Sequence, residues 1–302
     1  MACFAPLRAW VCTDGSIVFV ELKRSDTVRR LDLPCGQCVG CRLERSRQWA
    51  MRCVHEASLY ERNCFVTLTY DDEHLPSGST LVYRDFQLFM KRLRKEFPRM
   101  PDDGIRFFMC GEYGEDTQRP HYHVCLFNFD FDDRLYFKLS GAGKKLYRSA
   151  MLERLWPLGY AGIGTLNFES AAYCARYILK KVTGDLAGAH YCNVDVDTGV
   201  CSWREPEFCH MSLKPGIGKR WLDAFESDVF PDGECVVRGV ACKSPRYYDL
   251  KWSKLNEEGY DWLKFQRELL ARTKYDDNTD GRLAVKARVA QARLALYKRE
   301  VV

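Results

Sequence analysis

The chain contains no uninterrupted apolar run that approaches the roughly 20 residues needed to cross a membrane. Its N-terminal residues also lack the basic start and the long apolar core of a secretory signal peptide. Internal repeats and low-complexity tracts are absent, and so is the GxxxxGK(S/T) loop that binds nucleotide phosphates. We therefore expect a soluble intracellular protein that has no membrane partner and relies on another protein for any unwinding of nucleic acid.

What the sequence has in quantity is cysteine, aromatic residues and basic residues. The 302 residues include 15 cysteines, 13% aromatic and 46% hydrophobic residues, and the net charge is +5. This composition supports one large core or two modest ones rather than a disordered chain. An odd number of cysteines in a long chain without an export signal favours reduced thiols, some of which can hold a metal ion.

Residues 104–128 are predicted to form a β-hairpin that brings together three metal-binding side chains. Two short apolar runs, bounded by glycine and proline, flank a polar spacer that is too short for a helix. His121 and His123 point to the same side because side chains alternate along a strand. Glu112, at the end of the first strand, is expected close to them. Two imidazoles and one carboxylate, with no fourth ligand, predict an open divalent-metal site.

The alternative is that both histidines are ordinary strand residues and that Glu112 merely ends a strand. Two histidines at positions i and i+2, opposite a carboxylate in a tight hairpin, are more specific than either residue alone, and we favour the metal site. An iron oxygenase also uses two histidines and one carboxylate. Such enzymes are built on β-rich double-sheet barrels, whereas this chain alternates helices with few strands.

A second candidate metal site lies just before the first predicted helix. Three cysteines follow one another at two-residue gaps, with glycines that let the backbone wrap around an ion, as in half of a zinc knuckle. These are Cys35, Cys38 and Cys41. Zinc requires a fourth ligand, which the sequence does not identify. The candidates are Cys3, Cys53 and His55. The competing interpretation is a tight loop of free thiols.

Segment 64–184 has the hydrophobic pattern of alternating strands and helices. The predicted order is β-α-β-β-α-β-α, in which the hairpin supplies the two middle strands. That order is typical of a ferredoxin-like split β-α-β core, an α+β fold with a central antiparallel sheet and its helices on one face. The predicted elements around the hairpin are strand 65–70, helix 84–97, helix 145–156, strand 161–168 and helix 171–181, capped by Ser170.

We expect two further segments to flank this core. Residues 1–63 contain a hairpin around Thr13–Gly15, the cysteine segment and a basic helix over 42–60. Residues 185–302 form a mixed extension that ends in two charged helices. Within it, Pro215–Arg220 combines glycines with basic residues and opens a helix, which we interpret as a turn rather than as a phosphate cradle.

Basic side chains cluster in two of the predicted helices, and an aromatic and basic stretch follows near residue 246. Such surfaces can contact a polyanion, although a charged helix face is more often simply solvated. The later stretch can stack bases and hold a nucleic-acid backbone, or form a packed edge. The candidate DNA-binding residues are Arg42, Arg45, Lys91, Arg92, Arg246 and Tyr247.

Tyr173 and Tyr177 are four residues apart in the last predicted helix of the core and therefore share one face. Taken alone, they are half-buried aromatics that pack on the sheet. Lys180 lies one turn further, and the helix directly follows the strand that completes the metal-bearing sheet. A tyrosine hydroxyl, with an ordinary pKa of about 10, needs help to attack a phosphodiester. A metal that polarises the phosphate and a nearby lysine favour a covalent phosphotyrosine product.

These residues together resemble the signatures of the HUH endonuclease superfamily. Arg119–His123, preceded by Gly111–Gly114, is similar to its histidine–hydrophobic–histidine motif, and Phe65–Tyr70 resembles its first motif. The tyrosine helix resembles its two-tyrosine third motif. The whole chain is similar to the replication initiators of microviruses, which are small single-stranded DNA phages. Its cysteine segment, arginine-rich helix and glycine-containing loop resemble their gokushovirus branch.

The resemblance implies rolling-circle replication in the cytoplasm of a host bacterium. One tyrosine would nick the origin, keep the 5′ phosphate and leave a 3′ hydroxyl as primer, and the other would later release a closed circle. The cofactor would be Mg²⁺ or Mn²⁺, beside any Zn²⁺ in the cysteine segment. The partners would be single-stranded and replicative-form DNA, with host helicase, single-strand-binding protein and DNA polymerase. The implied ligands are Glu112, His121 and His123, the nucleophiles Tyr173 and Tyr177, and the accessory cation Lys180.

Two other functions remain open at this point. A relaxase or transposase would use the same chemistry, but the paired tyrosines and the whole-chain similarity favour a replication initiator. A non-catalytic origin-binding protein would use only the fold and the basic helices. It would leave the tyrosines and the metal ligands without a role.

Overall fold

The computed structural model describes residues 3–20, 26–98, 104–114, 117–141, 143–176, 181–182, 184, 186–194 and 198–296. The chain divides into two compact units, one formed by Met1–Arg45 with Asp249–Lys298 and the other by Ser46–Tyr248 with Arg299–Val302. Among the described residues, no helix is long and apolar enough to cross a membrane.

The elements of the chain as far as the central sheet are, in order, β1 (Leu7–Cys12), β2 (Ile17–Val18), β3 (Thr27–Leu33), α1 (Val39–Ala57), β4 (Asn63–Tyr70), α2 (Tyr83–Glu96), β5 (Arg106–Tyr113), β6 (Pro120–Phe127), β7 (Leu135–Leu139), β8 (Lys145–Arg148), α3 (Ala150–Leu155), β9 (Gly159–Gly164) and α4 (Phe168–Arg176). The later elements are α5 (Leu186–Tyr191), β10 (Cys192–Val194), β11 (Cys201–Trp203), β12 (Phe208–Met211), α6 (Lys219–Ala224), α7 (Glu226–Val229), β13 (Glu234–Val237), β14 (Val240–Lys243), α8 (Arg246–Trp252), α9 (Glu257–Thr273) and α10 (Asp280–Leu296).

A seven-stranded antiparallel sheet forms the centre of the unit that contains Ser46–Tyr248. Its strand order is β12-β5-β6-β4-β9-β8-β7, and every neighbouring pair is antiparallel. The predicted α+β class with a large antiparallel sheet is therefore confirmed. The predicted hairpin is also present, as the β5–β6 pair in the middle of the sheet.

Helices cover both faces of this sheet, whereas the sequence analysis placed them on one. On one face, α2 and α3 pack against alternate residues such as Tyr122 and Val124. On the other face, α1 and α4 pack against Phe108 and Cys125. The reason lies in β5 and β6, which are apolar at both sets of alternate positions and must be covered on both sides.

The region from Leu135 to Ser170 differs most from prediction. The predicted helix 145–156 is split, because β8 occupies its first residues and Ser149 caps α3 by accepting a hydrogen bond from the Leu152 N–H at 3.0 Å. The predicted strand 161–168 ends at Gly164. Asn167, not Ser170, starts α4, since its side chain accepts the Ser170 N–H while Ser170 Oγ accepts the Asn167 N–H.

Strand β12 comes from beyond residue 184 and completes the sheet by pairing with β5. In the other unit, three strands pair in the order β2-β1-β3, which confirms the predicted hairpin around Thr13–Gly15 and adds β3. The two predicted C-terminal helices are α9 and α10. The division of the chain into segments 1–63, 64–184 and 185–302 stays a prediction.

The loop before α6 is held by a buried ion pair rather than arranged around an anion. The Glu56 carboxylate accepts bonds from Arg106 Nε at 2.5 Å and from the Gly218 N–H at 2.6 Å. Arg106 also donates to the Pro215 carbonyl at 2.6 Å. Because a carboxylate already occupies the amide of Gly218, the loop acts as a structural turn, in agreement with the sequence analysis.

Gly159 is the glycine on which the junction of β4 and β9 depends. Its φ is +146°, and a Cβ there would lie 2.2 Å from the Asp71 amide nitrogen and 2.5 Å from the Thr69 carbonyl oxygen. Both neighbours are backbone atoms and cannot rotate away. We expect Gly159→Ala to lower the free energy of unfolding by more than about 3 kcal/mol, measured by urea denaturation.

The matched control for this substitution is Gly162→Ala in the same strand. No described atom lies within 4 Å of a Cβ built at Gly162, and an ordinary φ there admits alanine. This variant should keep the stability of the parent. Equal losses for both variants would contradict the role assigned to Gly159.

Candidate active site

The β5–β6 register brings the three candidate metal ligands to one point. Glu112 pairs directly with His121, and Cys110 pairs with His123, so the two histidines and the carboxylate share one face of the sheet. Glu112 Oε1 lies 2.7 Å from His121 Nε2 and 2.8 Å from His123 Nε2. One ligand atom from each residue lies within 4.8 Å of the others. These three residues form a group that can hold a metal ion.

The other ring nitrogen of each histidine has its own partner. His121 Nδ1 lies 3.0 Å from the Arg119 carbonyl oxygen, and because a carbonyl only accepts, Nδ1 is the donor. His123 Nδ1 lies 3.0 Å from Thr67 Oγ1. Contacts of this kind orient metal-binding imidazoles and leave Nε2 for the ion. Both Nε2 atoms accordingly face the carboxylate of Glu112.

The electrostatics of the metal-free group follow from this packing. Burial alone would raise the pKa of the Glu112 carboxyl, but the hydrogen bonds with His121 and His123 lower that pKa to about 2. Burial disfavours the charged form of His121, yet the hydrogen bond and charge of Glu112 raise the pKa of this imidazole overall. A positive charge on His121 thus substitutes in part for the charge that a cation would bring.

The donor set fits a divalent ion. Two imidazole nitrogens and one carboxylate oxygen suit Mn²⁺, Mg²⁺ with additional water, and other first-row metals. Three protein ligands leave coordination positions for a substrate oxygen, which distinguishes a catalytic site from a closed structural one. Burial of Glu112 and His123 fixes the ligands, while His121 stays partly accessible.

Tyr173 lies beside this group on α4. Its ring centroid is 5.0 Å from that of His123 in an edge-to-face arrangement, and 6.5 Å from that of Phe65. The helix is held against the sheet by buried small side chains, Cys174 among them. Ser46 of α1 also donates a hydrogen bond to the Ala172 carbonyl at 3.1 Å. Tyr177 and Lys180 lie outside the described residues.

Four cysteines form a second group that can hold a metal ion, in the unit containing Met1–Arg45. Cys3 joins the three predicted cysteines, and all four sulfur atoms lie within 4.8 Å of one another. Cys3 Sγ is 3.7 Å from Cys35 Sγ and 3.8 Å from Cys38 Sγ. The other proposed fourth ligands have different environments: Cys53 packs in the apolar cluster under α1, and His55 stacks on Trp221.

The candidate DNA-binding residues have different surroundings. Arg92 Nε donates to the Leu155 carbonyl at 2.8 Å and so helps to dock α3 on α2. The Tyr247 ring lies 3.9 Å from the Arg52 guanidinium, which also stacks on Trp49 at 4.0 Å. The remaining candidates are partly or fully exposed to solvent: Arg42, Arg45, Lys91 and Arg246.

The profile of the replication-associated protein ORF2 family matches residues 63–182, the segment that holds the metal-binding group and α4. The replication-associated protein VP4 of Bdellovibrio phage phiMH2K is 34% identical over 279 residues, which cover 91% of this chain and 84% of that protein. The chain belongs to this family of phage replication-associated proteins. The expectation of a microvirus-type replication protein is thereby confirmed.

Two further relatives support this membership in the replication-associated proteins. The replication-associated protein ORF2 of Spiroplasma virus 4 is 32% identical over 297 residues, covering 90% of this chain and 87% of that protein. The replication-associated protein ORF4 of Chlamydia phage 1 is 29% identical over 231 residues, covering 75% of this chain and 55% of that protein. No solved structure matches the chain. Membership assigns the chain to phage DNA replication.

Thr67 is a site residue to which the sequence analysis gave no role. It alternates with Phe65 and Thr69 along β4, which places all three on the face that carries the histidines. That face could be inferred from period-two alternation. The register could not, because the Thr67–His123 pairing joins strands that are 56 residues apart.

The metal-free protein should show a pH-dependent contribution of Glu112 to stability. The lowered pKa of Glu112 stabilises the fold above the unfolded value of about 4.5, and the raised pKa of His121 stabilises it below about 6.5. Both contributions are present between these values, and the histidine part is lost as pH rises further. We expect Glu112→Gln to cost about 1–3 kcal/mol at pH 5.5 and less at pH 8.5, measured by urea denaturation in EDTA. A cost independent of pH would contradict this pairing.

Proposed function

We propose that the chain is a metal-dependent DNA endonuclease and strand transferase that nicks and rejoins single-stranded DNA at the phage origin. The observation that carries the proposal is the convergence of Glu112, His121 and His123 beside the ring of Tyr173. A divalent-metal group next to a tyrosine supplies the two components that phosphodiester transfer to a hydroxyl nucleophile requires. A water-dependent nuclease would not need the tyrosine.

The proposal includes the HUH endonuclease fold with a ferredoxin-like split β-α-β core. The order β5-β6-β4-β9 of the four inner strands, with α2 after β4 and α3 before β9, supports it. In this arrangement the hairpin lies in the middle of the sheet and carries the metal ligands. The helix that follows the last core strand then brings its tyrosine over the hairpin.

Each residue of the site has a separate task in the proposed reaction. Glu112, His121 and His123 hold Mg²⁺ or Mn²⁺, which when bound polarises the scissile phosphate and stabilises charge as it builds. The tyrosine hydroxyl loses its proton to solvent and its oxygen forms a bond to phosphorus. The bond from phosphorus to the 3′ oxygen breaks, and this oxygen takes up a proton to become the 3′ hydroxyl. The 5′ phosphate stays on the tyrosine.

A second tyrosine allows the reaction to be repeated before the first linkage is resolved. From the sequence, Tyr177 would cut the regenerated origin, and Lys180 would neutralise charge near the nucleophiles. The new 3′ hydroxyl would then attack the first phosphotyrosine and close the circle. This order fits rolling-circle replication in the host cytoplasm, with host helicase, single-strand-binding protein and polymerase as partners on replicative-form DNA.

The direct test is a covalent-adduct assay with end-labelled single-stranded DNA from the cognate genome and Mn²⁺ or Mg²⁺. We expect a labelled protein band on a denaturing gel that depends on the metal. The band should be lost with His121→Ala and with the double variant Tyr173→Phe/Tyr177→Phe. Tyr275→Phe is the matched control, because Tyr275 is exposed and lies far along the chain; it should form the adduct normally.

The other outcomes of this assay separate the alternatives. Cleavage without an adduct would identify water as the nucleophile and reject the tyrosine assignment. DNA binding without cleavage of any genome segment would favour a non-catalytic origin-binding protein. Replacement of tyrosine by phenylalanine keeps the ring contact with His123, so a loss of adduct reports the hydroxyl rather than the packing.

We also propose that Cys3, Cys35, Cys38 and Cys41 bind a structural Zn²⁺. A tetrahedral zinc with Zn–S bonds of about 2.3 Å separates its sulfur atoms by about 3.8 Å, which agrees with the two distances measured around Cys3. Disulfide sulfurs would be about 2.05 Å apart. Backbone N–H groups of Phe4, Cys35 and Cys38 point at these sulfurs at 3.2–3.3 Å, as donors to thiolates do.

The zinc proposal predicts about one Zn²⁺ per chain after purification in buffers without added metal, measured by elemental analysis. Cys3→Ser should lower both the zinc content and the thermal midpoint of unfolding. Cys201→Ser, at an exposed cysteine outside the group, should change neither. Full zinc content in Cys3→Ser would exclude Cys3 as a ligand.

A further inference from the structure

A row of side chains runs across the sheet from the metal-binding group to an exposed tyrosine. Glu112 pairs with His121, His121 with Thr69, and Thr69 with Tyr160. Residues directly opposite one another in antiparallel strands share a face, so Tyr160 stands on the face that carries the ligands. At about 4.8 Å per strand, it lies two strands, or about 10 Å, from His121.

The two sides of the metal-binding group differ in what covers them. On the side of β5, α1 and α4 pack on the sheet, and Trp49 stacks on Phe108 with ring centroids 4.9 Å apart. On the side of β9, Tyr160 is 70% exposed. Gly162 pairs with Thr67, and a Cβ built on it meets no described atom within 4 Å. Within the described part of the chain, the accessible sheet surface therefore lies over β9.

The sheet beyond β9 is basic and carries exposed aromatic rings. Residues 134–148, which form the β7–β8 hairpin, contain five basic residues and no aspartate or glutamate. Tyr136 and Phe137 are 58% and 52% exposed. Among the described ion pairs, two arginines of the hairpin have carboxylate partners, Asp130 and Glu153, whereas none involves its lysines. These are Lys138, Lys144 and Lys145.

We propose that single-stranded DNA leaves the metal site across β9, stacks a base on Tyr160 and continues along the basic β7–β8 hairpin. This path deepens the proposed function, on which it rests, by naming the surface that holds the strand beside the cleaved phosphate. An exposed ring on a sheet, a glycine that admits a close backbone and lysines further on are the components of sequence-tolerant single-strand binding. A duplex would keep its bases stacked and could not use Tyr160.

The occupant is inferred from charge and from continuity with the metal row. A partner strand added to the edge of β7 would place its own chain next to several lysines, which oppose such pairing. A polyanion gains from the same lysines. Isolated exposed tyrosines are common on protein surfaces, but Tyr160 is aligned with three residues that contact or bear the metal-binding group.

The test measures DNA affinity without catalysis, by fluorescence anisotropy of labelled oligothymidylate on the full chain in EDTA. Tyr160→Ala should weaken binding about 5- to 100-fold, the range for loss of one base–aromatic stack. Tyr160→Phe keeps the ring and should retain the parental affinity. Tyr275→Ala, at an equally exposed tyrosine, should have no effect. Gly162→Val should weaken binding by filling the surface, with an unchanged urea denaturation midpoint.

The lysines are tested through the salt dependence of binding. Lys144→Ala/Lys145→Ala should lower the slope of log affinity against log salt by about 1.4, as expected for two lost contacts with single-strand phosphates. Parental affinity of Tyr160→Ala, or a parental salt slope of the double lysine variant, would overturn the path. Failure of the proposed function is separate, because wild-type protein would then form no adduct while Tyr160→Ala still lost affinity.

Discussion

The pairing of β5 with β6 is the constraint on which the candidate site depends. Its register aligns Glu112 with His121 and sets the two histidines on one face. A slip of one residue would turn both histidines to the opposite face, which is occupied by Tyr122, Val124 and the helices packed on them. The hydrophobic core therefore fixes the position of the polar group, and the free energy of packing opposes any alternative register.

Features that are encoded locally could be predicted from the sequence. The β5–β6 hairpin and α2 were found because burial leaves a period of two or of about 3.6 in neighbouring residues. Strand β7 was missed since Leu135–Leu139 is exposed along its whole length and shows no alternation of buried and exposed positions. The second helical layer was missed for another reason. That α1 covers the sheet depends on contacts between distant segments, to which local periodicity is blind.

The same distinction applies to the candidate site. Glu112, His121 and His123 come together as expected because a short turn connects their strands. Cys3 was one of three proposed partners for the cysteine segment, and a separation of 32 residues from Cys35 hid the answer. Thr67 needed the β4–β6 register, and Tyr160 needed the order of all four inner strands. Sequence patterns thus predict which chemistry is present, while the surface beside it follows from tertiary pairing.

Strand β12 has a consequence for the synthesis of the chain. It covers the outer side of β5, yet it follows that strand by about a hundred residues, and the segment matched by the family profile ends at residue 182. Until residue 211 has left the ribosome, β5 is an apolar strand with one open hydrogen-bonding side, a state that invites pairing with other chains. The order of translation therefore leaves the metal-bearing hairpin without its outer strand until late in synthesis.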